Sequence, residues 1–389
     1  MDAQTLYDFS PWARLLSGGA LLSALPLSWL WWRYRDAPRV RRRLALTMLT
    51  LFLSFDLVMV GAFTRLTDSG LGCPDWPGCY GHASPIGASV PIADAQAAMP
   101  SGPVTQQKAW VEMLHRYLAM AVGALLLVLA GWAWWDRWQA RHATWRVHIS
   151  PWWASATLFW VCVQGLFGAL TVTMKLFPAI VSLHLLGAYG LLALLVLQAA
   201  WWGQAAAPTP DPASSVPALT LQHLRLPVAL GLVAVLLQAM LGAWVSTNYA
   251  VLACSEFPMC QGQWWPAMDF AAGFEIWRPL GSSADGAILS FQALTAIHYG
   301  HRLFALLATL VLAWVFWRLR AQPALQTPRR YLGLLLLAQL LTGLSNVVLD
   351  WPLAAAVLHT AGAGALVAVL TWLYVLTGSG ARTLTTEKV

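Results

Sequence analysis

The chain has 389 residues, 59% hydrophobic and 10% charged, with a formal net charge of +7 and a mean hydropathy of +0.60. So few polar residues cannot clothe a soluble surface, and long apolar runs recur throughout, so the fold class is an all-α polytopic membrane protein. The basic residues gather in alternate loops and form no stripe or patch, which excludes a nucleic-acid partner.

In chain order, apolar runs of spanning length lie at about 12–32, 44–66, 109–135, 151–173, 178–202, 225–247, 291–317, 330–349 and 353–377, which predicts nine membrane helices. The first run is followed by Arg33, Arg35, Arg39, Arg41, Arg42 and Arg43 rather than by a small-residue cleavage site, so a retained leader helix is expected rather than a signal peptide. Those arginines, with Arg137, Arg141 and Arg146 and then Arg318, Arg320, Arg329 and Arg330, mark the inner side. The long loops at about 67–108 and 248–290 then lie outside. A Pro/Ala/Ser-rich linker near 203–224 joins two halves on the inner side. The expected organisation is a leader helix and basic loop (1–43), a four-helix bundle (44–202), the linker (203–224), a second four-helix bundle (225–377) and an inner tail (378–389). Twenty-four tryptophans suit belts at the two membrane interfaces.

The halves are copies. "GAFTRLTDSGLGCPDWPGCYG" from Gly61 matches "GAWVSTNYAVLACSEFPMCQG" from Gly242, and one offset of 181 aligns Gly61 with Gly242, Cys73 with Cys254, Pro77 with Pro258 and Cys79 with Cys260. An offset of 186 carries "HRYLA" at His115 onto "HRLFA" at His301, and one of 175 carries Gln164, Gly168, His184 and Gly187 onto Gln339, Gly343, His359 and Gly362. This register indicates an ancestral four-helix unit, duplicated and fused.

Each outer loop carries Cys-x5-Cys on a side that faces an oxidising compartment, so Cys73–Cys79 and Cys254–Cys260 are expected as local disulfides. Thiol exchange with an assembly partner is the rival reading; zinc is disfavoured because only His82 is near one pair. Cys162, alone within a span, reads as a small buried apolar residue.

His115, His184, His301 and His359 lie at matched depth, about 10 Å below the outer surface at 1.5 Å of rise per residue. They sit on alternate spans, which occupy the diagonal of an antiparallel four-helix bundle, roughly 14 Å across. Two imidazoles facing across that gap suit one haem iron in each half, whereas copper or di-iron would need all four ligands converging. His298 lies one turn before His301, and the repeat selects His301 because it alone aligns with His115 and shares the following arginine. Arg116 and Arg302 are costly in lipid and would suit haem propionates, with snorkelling as the alternative. Glu112 precedes His115 by three residues on the same helical face, and its counterpart in the second half is His298. One half thus keeps an acid beside its cofactor, which points to chemistry there; pairing with Arg116 one turn on would also satisfy the charge.

Duplicated four-helix halves, the E-x-x-H-R motif in "EMLHR", single histidines in three further spans and the outer Cys pairs together resemble the haem A synthase family over about 44–377. The leader departs from that family's eight-helix plan. The resemblance implies oxidation of a ring methyl of haem O to a formyl group by successive hydroxylation, with a b-type haem as a second, resident cofactor. It implies that His115 and His184 flank haem O, or its product haem A, in the first half. His301 and His359 would ligate the resident haem b, and Glu112 would be the acid/base or charge stabiliser. Haem O synthase, cytochrome oxidase assembly proteins and an electron-transfer partner are the implied partners, in a bacterial inner membrane with the Cys-bearing loops periplasmic. Two other readings use the same histidines. A di-haem electron-transfer protein would not need Glu112, and a haem carrier or assembly scaffold would leave haem composition unchanged.

Overall fold

The computed structural model describes residues 10–140, 149–206, 221–283 and 286–378. Part of the linker, most of the inner tail, Arg141 and Arg146 fall outside the described residues. Its long helices are α1 (Ser10–Tyr34), α2 (Arg39–Leu66), a short outer α3 (Ser89–Ala98), α4 (Gln106–Ala140), α5 (Pro151–Thr173), α6 (Pro178–Ala206) and α7 (Arg225–Thr247). After a single-turn α8 (Phe270–Gly273) come α9 (Phe291–Arg318), α10 (Gln326–Val348) and α11 (Leu353–Gly378).

Eight of these helices are long and apolar enough to cross a membrane, namely α2, α4, α5, α6, α7, α9, α10 and α11. The expected ninth, the leader, is a helix of 25 residues but is not among them. Arg14, Pro26 and its serines dilute the apolar run. α1 packs along α4 and touches α2, with Gly19 set directly against Met120, where a Cβ would come within 2.7 Å of the Met120 Cβ.

Packing follows the repeat. α2, α4, α5 and α6 form one ring of neighbours and α7, α9, α10 and α11 another. α4 therefore faces α6 across the first ring, and α9 faces α11 across the second. Between the rings, α2 packs on α11, α6 on α7 and α6 on α11, around a core that includes Val58, Tyr189 and Leu192 from one half and Val235, Leu312, Val367 and Leu370 from the other. Because lipid is as apolar as these side chains, such association relies on close fit and on satisfied polar groups. Gly364 supplies the fit, since a Cβ there would lie 3.1 Å from the Tyr189 ring, and Tyr189 Oη donates to the Thr360 carbonyl at 2.7 Å. At the end away from the disulfide loops, Arg43 of α2 makes a two-pronged pair with Asp136 of α4 at 2.8 and 2.6 Å.

Some residues touch their own repeat counterparts and so mark the pseudo-two-fold axis. Arg65 donates to the Ser246 carbonyl, and Tyr249 donates to Asp68 at 2.5 Å, each contact spanning 181 residues. Tyr189 and Gly364, related by the 175 offset, meet on the same axis.

The outer loops repeat down to the backbone. Trp76–Pro77 and Phe257–Pro258 are both cis, and Tyr80 and Gln261, followed by Gly81 and Gly262, all have positive φ. The cysteines pair as expected, Cys73 with Cys79 and Cys254 with Cys260.

Candidate functional site

His115 rises from α4 and His184 from α6, which face each other across the first ring, and His301 on α9 and His359 on α11 stand in the same relation across the second. All four are half-buried, and each ring turns its Cε1 edge to a glycine on one of the remaining two helices of its ring. A Cβ at Gly61 would lie 3.0 Å from His115 Cε1, at Gly242 3.0 Å from His301, at Gly343 3.1 Å from His359 and at Gly168 3.6 Å from His184. At Gly61, Gly242 and Gly343 a side chain would press on the ring, whereas the 3.6 Å at Gly168 is ordinary van der Waals contact. On the next turn Gln164 lies over Gly187 and Gln339 over Gly362, so a side chain at either glycine would push the glutamine amide aside, and Gln339 Nε2 donates to the His359 carbonyl at 3.0 Å.

The nitrogens divide the halves. His115 Nδ1 and His184 Nδ1 are sealed in protein with no hydrogen-bond partner. In the second half, His359 Nδ1 lies 3.0 Å from Thr342 Oγ1 and His301 Nδ1 lies 3.1 Å from the Gln238 side-chain amide. A haem iron asks for two imidazoles presented through one nitrogen across a slot, the other nitrogen turned into protein. An orphaned, sealed Nδ1 on both histidines of the first pair fits that group. Among the described residues no three or more His, Cys, Asp or Glu converge as a metal cluster.

Above each pair an arginine ties the disulfide loop to its helix. Arg116 donates to the carbonyls of Asp75, Pro77 and Gly78 at 3.0, 3.2 and 2.5 Å. Arg302 donates to those of Glu256, Met259 and Cys254 at 2.7, 3.2 and 2.7 Å. These donors are thus committed to loop backbone, and the i, i+4 pairing of Arg116 with Glu112 is formed. Glu112 is 4% exposed, and its other oxygen accepts the Cys73 backbone N–H at 2.8 Å. The carboxylate therefore joins the first disulfide to the histidine-bearing helix. At the equivalent place His298 Nδ1 lies 3.1 Å from the Ala250 carbonyl, and Arg302 Nε donates to its Nε2 at 3.3 Å. His298 has both nitrogens occupied by the loop carbonyl and by Arg302, whereas the His301 nitrogens meet only the Gln238 amide, at 3.1 and 3.3 Å.

Cys162 is exposed on α5, which corrects the expectation that it is buried; a small apolar side chain is equally at home against lipid. Sequence spacing also passes over Gln238 and Thr342, which lie one turn before and immediately before the histidine-facing glycines Gly242 and Gly343. Asp56, half-buried midway along α2, is a second intramembrane carboxylate that the repeat does not single out, its counterpart being Leu237.

A model of the cytochrome oxidase assembly protein family, COX15-CtaA, matches residues 44–371. The chain belongs to this family. It is 35% identical over 326 residues to a heme A synthase of Shewanella oneidensis, covering 84% of this chain and 93% of the relative. Heme A synthases of Rhizorhabdus wittichii, 28% identical over 84% of this chain and 91% of the relative, and of Halalkalibacterium halodurans, 25% identical over 78% and 86%, are similar along both halves. The family match encloses both histidine pairs, Glu112, both loop arginines and all four disulfide cysteines, and it begins after α1.

Proposed function

We infer that the chain is a haem A synthase, a membrane oxidoreductase that converts a ring methyl of haem O to a formyl group. The observation that carries this reading is the placement of His115 and His184, and of His301 and His359, on facing helices of two rings, each imidazole set against a glycine, within a chain of this family. In our assignment the unit at 44–202 takes the substrate haem and the unit at 225–377 holds a resident b-type haem between His301 and His359. When bound, that haem supplies one-electron transfer. Its partner works from the outer side, which we assign to the periplasm of a bacterial inner membrane.

The residues of the first half divide the remaining work. His115 and His184 orient the substrate. Arg116 and Arg302 hold the loop above each site through the carbonyls they bind. Each hydroxylation takes two electrons and a proton from the methyl group, building positive charge on that carbon, with the electrons passing to an external acceptor and water adding as hydroxide with loss of its second proton; two such rounds leave a geminal diol that loses water to give the formyl group. We assign to Glu112, held by Arg116 and the Cys73 N–H, the stabilisation of that charge and the uptake of the proton, because a carboxylate in a low-dielectric site acts strongly on nearby charge. The second half has His298 in that place, so it lacks the acid.

Extraction and separation of the haems from purified protein tests this. Haem B together with haem O or haem A is the expected result, and Glu112→Ala should retain haem O while haem A disappears. Two haem B per chain, with no effect of Glu112→Ala, would identify an electron-transfer protein instead.

A further inference from the structure

The two halves differ where each imidazole turns away from its slot. Gln238 precedes Gly242 by one turn and reaches the His301 ring; Thr342 immediately precedes Gly343 and reaches His359 Nδ1. The same offsets that align the glycines place Leu57 opposite Gln238 and Phe167 opposite Thr342. Neither leucine nor phenylalanine can accept a hydrogen bond, and His115 Nδ1 and His184 Nδ1 are the ones left buried without a partner.

We propose that Gln238 and Thr342 are positioning residues that anchor the second-half imidazoles for a permanently held haem, and that Leu57 and Phe167 withhold the same anchor so that haem in the first half can exchange. This rests on the assignment of the resident haem to the second half. An imidazole bonded through Nε2 carries its proton on Nδ1, and an acceptor for that proton fixes the tautomer and ring plane and makes the ring a stronger donor. Thr342 Oγ1 already donates to the Ala338 carbonyl at 2.7 Å, which leaves its lone pairs for the His359 N–H. Gln238 Nε2 lies 3.1 Å from His301 Nδ1 and 3.3 Å from its Nε2 and also donates to the His301 carbonyl at 3.3 Å, so the amide ties ring and backbone together; its buried, unpartnered Oε1 is the acceptor that a turn of the amide, at the loss of that carbonyl bond, brings to a protonated Nδ1. In the first half the Nδ1 proton has no acceptor, so the ring is a weaker ligand held mainly by the glycine contact. That suits a site whose occupant must arrive as substrate and leave as product, whereas a redox cofactor should stay.

The test uses the full chain, purified with its haems, and follows transfer of each haem to an excess of apomyoglobin together with the electron paramagnetic resonance spectrum of the low-spin haem. Gln238→Leu and Thr342→Val should speed loss of haem B about 10- to 100-fold, the usual effect of removing such a partner, and should shift its g-values without altering the first-half haem. Thr342→Ser, which keeps the hydroxyl, should restore the slow rate. In the opposite sense, Leu57→Gln should slow release of the first-half haem. Unchanged haem B loss and g-values in both second-half variants would overturn the proposal. If instead His301→Ala left haem B in place, the underlying assignment to the second half would be the part that failed.

Discussion

At the scale of single residues, the glycines facing the histidines are as much a part of the site as the imidazoles. A methyl group at Gly61 or Gly242 would sit 3.0 Å from a histidine Cε1, so the ring or a helix must move, and overpacking of this kind costs about 1–3 kcal/mol. Gly61→Ala should therefore reduce haem occupancy in the first half and Gly242→Ala in the second. Gly123→Ala, where nothing lies within 4 Å, should change neither. Haem-to-protein ratios by pyridine haemochrome read this directly, and equal losses in all three variants would show that the contact has no special role. The histidines and their glycines were legible in the sequence because duplication repeats them in register. What each side chain does with its remaining hydrogen bonds was not. Spacing placed Arg116 at the right depth for a propionate, but only the folded loop shows its donors on the carbonyls of Asp75, Pro77 and Gly78. Leu57 opposite Gln238 is plain once the offset is known, yet it gains meaning only when the ring edge that faces that helix is seen.

At the scale of elements, hydropathy located the eight helices that qualify as spans, because a segment that must satisfy its backbone in lipid has little freedom to be anything but helix. It could not separate a lipid-facing cysteine from a buried one, as Cys162 shows, because lipid and protein interior favour the same side chains. The leader also read as a span, but it forms a helix whose close approach to α4 depends on Gly19. Gly19→Leu should lift α1 from Met120 and lower the melting temperature of the purified protein, while Gly18→Leu, facing open space, should leave it unchanged. Haem content should hold in both, since α1 lies outside the residues that match the family. Identical melting temperatures for the two variants would mean that the α1–α4 contact contributes nothing.

For the whole molecule, the repeat explains both likeness and division of labour. Contacts between repeat counterparts, Arg65 with Ser246 and Asp68 with Tyr249, put the outer ends of α2 and α7 on one axis and hold the two histidine pairs at matched positions on either side. Three departures from symmetry then differentiate the halves: Glu112 against His298, Leu57 against Gln238, and Phe167 against Thr342. On the assignment we propose, all three favour reaction and exchange on one side and retention on the other. The most direct measurement is haem extraction from four purified variants, His115→Ala, His184→Ala, His301→Ala and His359→Ala. The first two should lose haem O and haem A while keeping haem B, and the last two should lose haem B while the first half stays partly occupied. Equal loss of every haem from all four would contradict the division between a reactive and a resident half.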